Sequence, residues 1–117
     1  MPMVYVVAEV KNTSIIIDVL GSEIDYMVCS MKNKPRHELK QELKDCNKLI
    51  SNIEYMIMSG ISSYDEIKKI LLCHLCMMYV LNDEPLKVVS EEEYKLHNPE
   101  EIKDNGPILL PPMDQKE

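Results

Sequence analysis

Cys73, His74 and Cys76 place two thiols and an imidazole within four positions, and Met77 and Met78 follow directly. Thiolates and imidazoles bind Zn2+, and thioethers beside thiolates suit Cu(I). A Cys-x-x-Cys pair can also cycle between dithiol and disulfide. Each chemistry has further requirements. A zinc site takes about four ligands in tetrahedral array. Here Cys29, Cys46, His37 and His97 are scattered, with no second pair at ligand spacing. A redox pair needs a helix N-terminus to lower its thiol pKa. This pair lies about ten residues into the helix that its surroundings predict. The sequence therefore reads Cys73 and Cys76 as packed thiols, and His74 as a core-edge histidine with one hydrogen-bond partner. A Cys/His metal-binding or redox regulator centred on these three residues is the alternative.

Other chemistry is thinly represented. The three glycines, Gly21, Gly60 and Gly106, are too far apart for a phosphate-cradling loop. Neighbouring carboxylates fall in acidic runs that read as solvated faces. No nucleophile has flanking residues that would activate it. Neither catalysis nor a cofactor is expected.

A basic cluster, Lys32, Lys34, Arg36, His37, Lys40 and Lys44, spans a loop and the start of a helix. Such a cluster can meet RNA phosphates, an anionic lipid surface or an acidic protein. Glu38 and Glu42 interrupt it, and no aromatic residue within it could stack on a base. The whole chain carries −7, and residues 61–117 hold 12 acidic against 6 basic residues. A nucleic-acid or anionic-membrane partner is thus a third reading, ranked below a protein partner.

These residues need a scaffold. The core must be built without Phe or Trp, from Ile, Leu, Val and nine Met. Residues 3–10 and 14–20 are rich in β-branched side chains and flank Lys11-Asn12-Thr13, which reads as a β-hairpin. A lone hairpin is marginal, so it must lie on helices, extend a larger sheet or pair with another chain. Ser22 opens a helix over about residues 22–32. Over residues 36–59, Leu39, Leu43, Cys46, Ile50, Ile53 and Ile57 recur at spacings of 4-3-4-3-4. That is a heptad-like seam on one long helix. Ser63-x-x-Glu66 is a capping box for a helix over about residues 64–82, with Ser62-x-x-Asp65 a looser version. Its second half, residues 70–81, is apolar all round, as a buried central helix requires. Asp83-Glu84-Pro85 ends it. Residues 86–89 read as a short strand or an extended link, and Ser90 caps a last helix near 91–97.

The expected fold is α+β and mainly α. An N-terminal β-hairpin precedes three to four bundled helices around a central apolar helix, in one domain over residues 1–99. Residues 100–117 form an extended or disordered tail. Its apolar island, Ile108, Leu109 and Leu110 between prolines, suits docking in a groove. The N-terminus lacks the pattern of a secretory signal, and Pro2 stands where N-myristoylation needs Gly. Free thiols and the absence of a membrane-length run suggest a soluble, intracellular (cytoplasmic) protein. The function expected is a non-catalytic protein-interaction or assembly module. It would bind a protein partner or form a homo-oligomer, through Leu39, Leu43 and Ile50 of the seam and through Ile108, Leu109 and Leu110.

Overall fold

Strand β1 (Met3–Val10) pairs antiparallel with β2 (Thr13–Leu20) in a register that sets Val10 opposite Thr13. The computed structural model describes residues 2–11 and 13–97, so the 100–117 tail and its Ile108, Leu109 and Leu110 lie outside the described residues. The register leaves a two-residue connection, not the three-residue turn expected. Such loops need positive φ, and Lys11 adopts φ 55. Thr13 is drawn into β2, where its hydroxyl donates to Glu54 Oε2 at 3.0 Å.

The pleat divides the sheet into two faces. Val6, Ala8, Val10, Ile15, Ile17 and Val19 enter one core with residues of the helices. On the opposite face, Tyr5 stacks on Tyr94 with centroids 4.5 Å apart. The third strand, β3 (Lys87–Val89), pairs antiparallel with β1, giving the order β2-β1-β3. Of the 86–89 segment, Lys87–Val89 is therefore a strand, and the hairpin both lies on helices and grows into a three-stranded sheet.

Helix α1 (Gly21–Lys32) follows β2 without a linker. Leu20 is its N-cap, and the Gly21 N–H donates to the Pro2 carbonyl at 3.2 Å. Ser22 was expected to cap this helix; it lies inside the first turn instead. The long helix expected over residues 36–59 is two helices, α2 (Arg36–Ser51) and α3 (Ile53–Ser59). The break falls at Asn52, with φ −105 and ψ 5. Ser51 Oγ turns back onto the Lys48 carbonyl at 2.7 Å, a local bond that competes with helix propagation. The break still leaves Ile53 fully buried. Gly60, at φ 72, stops α3 as a left-handed cap.

Helix α4 (Tyr64–Asn82) starts with both limbs of the Ser63/Glu66 capping box formed. It ends where Asp83 turns to φ 58 and Glu84 N–H bonds to Met78 O. It touches α1, α2, α3 and β1. Its buried side includes Ile67, Leu71, Leu72, Cys76, Met77 and Leu81. The 70–81 run is not enclosed all round, since Tyr79 is 38% exposed. Helix α5 (Glu91–His97), capped by Ser90, carries Tyr94 onto the outer face of the sheet.

A side chain of α4 covers the free edge of β2 at Asp18. The Tyr64 hydroxyl donates to Asp18 Oδ1 and accepts a long bond, 3.5 Å, from the Asp18 N–H. Lys68 Nζ lies 3.6 Å from the same carboxylate and 4.7 Å from the Tyr64 ring centroid. Burial, then Asp18, holds the Tyr64 phenol far above its usual ionisation range. Covering an edge in this way blocks stray strand pairing. Tyr64→Phe is expected to destabilise the fold by about 1–2 kcal/mol, because a part-buried carboxylate loses a donor. Urea unfolding measures it, and an unshifted midpoint would contradict this role.

Candidate binding surfaces

The Cys-His-x-Cys stretch lies on α4, where neighbouring helices bury much of it. Cys76 and Cys46 are buried, and Cys73 is half-buried. Burial, with a smaller contribution from Cys73, pushes the Cys46 and Cys76 thiols up to about 11. Burial raises the Cys73 thiol as well. Cys46 Sγ sits 3.8 Å from the Ile70 carbonyl. The thiolate is the form that attacks or binds metal, and this setting disfavours it. Among the described residues, no group of three or more His, Cys, Asp or Glu is placed to hold a metal ion. His74 is half-buried, with Nε2 2.9 Å from Asn47 Oδ1 on α2. Burial lowers its pKa, and Glu84 opposes the shift.

The basic cluster is partly engaged within the chain. Lys34 bonds both Glu42 oxygens, at 2.9 and 2.7 Å, and this pairing raises its pKa. Arg36 donates to the Leu81 carbonyl at 3.1 Å, near the C-terminus of α4. Lys32 lies 6.0 Å from the Tyr79 ring centroid. His37, Lys40 and Lys44 are exposed. The structure brings these residues to one region, yet three of the charges already have internal partners.

The seam residues face inward. Leu39 is 1% exposed, and Cys46 and Ile53 are buried beside it. Leu43 and Ile50 pack against the same core. Leu39, Leu43 and Ile50, the seam residues expected to meet a partner, pack toward the core, where α2 lies against α4 of the same chain.

Two features stand out on the surface. The first is an apolar corner at α3: Tyr55 is 67% exposed, Met58 77% and Ile61 73%. Tyr55 and Met58 are neighbours three residues apart on one helix face. The second is a cleft of about 280 Å3 between β1, α4 and the chain entering β3. Ile50, Leu71, Leu75 and Met78 form its apolar wall, and His74 adds a polar group. Glu84 stands at its rim with Glu9 and Lys87, which pair at 3.1 Å. A second hollow of about 300 Å3 between α1 and α4 is lined largely by charges of both signs, Glu23, Asp65, Lys68 and Lys69.

Residue type singles out His74 in the sequence, and neither surface feature is singled out there. Tyr55 and Met58 fall off the seam spacing, which was the available signal for an outward corner. Glu9, Glu84 and Lys87 carry no local signal, because pairing of distant strands brings them together. In comparisons with known proteins, the chain matches no family model, no curated protein and no solved structure. No helix among the described residues is long and apolar enough to cross a membrane.

Two measurements check this picture. Under native conditions, exposed Cys29 is expected to react with a thiol reagent quickly, and Cys46 and Cys76 only after unfolding; prompt modification of Cys76 would contradict it. His74 has a folded-state pKa below its ordinary value of 6.5. Its contribution to stability is therefore full above that value and lost as pH falls through the lowered one. His74→Gln is expected to flatten that part of the profile of urea midpoint against pH. An unchanged profile would sink the assignment.

Proposed function

We propose that the protein is a non-catalytic interaction or assembly module. In this reading, α1, α2 and α3 gather around α4 as a small bundle behind the sheet. The working surface is the α3 corner, not the seam. The supporting observation is the exposure of Tyr55, Met58 and Ile61 within seven residues. Isolated exposed apolar residues are ordinary, but grouped ones mark association surfaces. Methionine and tyrosine suit such a surface, because one repacks readily and the other combines a large apolar body with a polar tip. The thiols with raised pKa values point the same way, since they favour packing over reactivity.

Sedimentation at rising concentration is expected to show self-association that Met58→Glu with Ile61→Glu removes, the fold remaining intact by circular dichroism. If the intact chain stays monomeric, the reading survives only as capture of a different protein by the same corner. Capture unaffected by the double variant, or absent, overturns it. A chain ending at Asn105 tests in parallel whether Ile108, Leu109 and Leu110 contribute.

A further inference from the structure

The cleft coincides with an unfinished strand edge. In an antiparallel pair, opposed residues alternate between exchanging hydrogen bonds and pointing their main-chain groups away. Two observations fix that alternation. Gly21 N–H bonds to Pro2 O, which makes their pair a bonded one in a register where Met3 faces Leu20. Asp18 N–H points outward to Tyr64, which makes its pair with Tyr5 a non-bonded one. Tyr5, Val7 and Glu9 therefore turn their main-chain N–H and C=O away from β2. Tyr5 meets Val89, and Val7 meets Lys87. Pairing with β3 stops there. Glu9 directs one donor and one acceptor toward the cleft, and no strand lies beside it among the described residues.

We propose that this cleft is a strand-addition site for an extended peptide of a partner protein. The peptide runs beside Glu9, in line with β3. It carries an apolar residue and, two positions away on the same face, a lysine or arginine. Three features define this occupant. The open edge at Glu9 supplies main-chain bonds, the source of affinity in strand addition. Ile50, Leu71, Leu75 and Met78 receive the apolar side chain, which shares a face with Ala8 and Val10. Glu84 has no ion-pair partner among the described residues, whereas Glu9 is neutralised by Lys87. With Lys87 held by Glu9, a basic residue of the peptide is the complement that Glu84 lacks. This inference rests on the interaction-module reading but uses a different surface from the α3 corner.

The probe is acetyl-Lys-Thr-Leu-Thr-Lys-amide, titrated into the 15N-labelled full chain to millimolar concentration. Alternation places leucine and the lysines inward and the threonines outward. The threonine N–H groups then face β1, and the leucine N–H faces away. The expected result is saturable shifts centred on Glu9, Val10 and His74. N-methylation of both threonines should weaken binding by at least about tenfold, as loss of a main-chain hydrogen bond implies. N-methylation of leucine should leave it nearly unchanged. Glu84→Gln, a change at an exposed position, should weaken it several-fold, as should added salt. Absent saturation overturns the proposal, and so does binding indifferent to threonine N-methylation. Shifts centred on residues 55–61 also overturn it, while favouring the α3 corner. Loss of self-association and capture in the α3 double variant, with peptide binding retained, separates the two surfaces.

Discussion

Among the described residues, strand β1 has more hydrogen-bonding edge than the other strands cover. On one side, all eight residues pair with β2. On the other, β3 supplies three partners. Main-chain donors and acceptors in a sheet need partners, and open edges invite foreign ones. The molecule answers differently at its two sides. At β2 it places the Tyr64 phenol and Asp18 carboxylate across the outer edge, with Lys68 alongside. Beside β1, it leaves a short gap walled by α4. The position of α4 serves both ends: its first turn closes the far edge, and its middle forms the apolar floor of the gap.

The elements with local chemistry were legible in the sequence. The Ser63/Glu66 box, the Asp83-Glu84-Pro85 stop and the Ser90 cap each act within a few residues, and the structure uses all three. The hairpin was legible from β-branched runs, although its loop is one residue shorter than the polar stretch suggested. The failures have physical causes. At Asn52, the seam spacing continued smoothly and concealed the break. Ile53 is buried with or without a continuous helix, so hydrophobic pattern carries no information about the backbone there. At Gly21, the strand passes straight into helix, and the Pro2 carbonyl receives the Gly21 N–H, one of the first-turn donors without an intrahelical partner.

The site was less legible than the fold. Cys73, His74 and Cys76 attracted notice through residue type alone, and packing then decided their character. Burial raises the thiols and lowers the imidazole, so each favours its uncharged form. The seam looked like an association surface because an amphipathic stripe has the same pattern whether its cover comes from the same chain or another. Glu9 and Lys87 are 78 residues apart in sequence, and the cleft between them exists only because β3 ends where it does. No local pattern encodes such a gap. The outward corner at Tyr55, Met58 and Ile61 was visible only as residues that the seam did not use.

Among the described residues, β3 covers β1 as far as Val7 and leaves the main chain of Glu9 open. Native-state hydrogen exchange of the full chain tests it at alternate residues of one strand. The amides of Tyr5 and Val7, which face β3, should exchange slowly. The Glu9 amide, next in the same series, should exchange near the rate of an open chain while Val10, bonded toward Thr13, stays protected. Protection of Glu9 equal to that of Val7 would show that this edge is already filled, and would contradict the account.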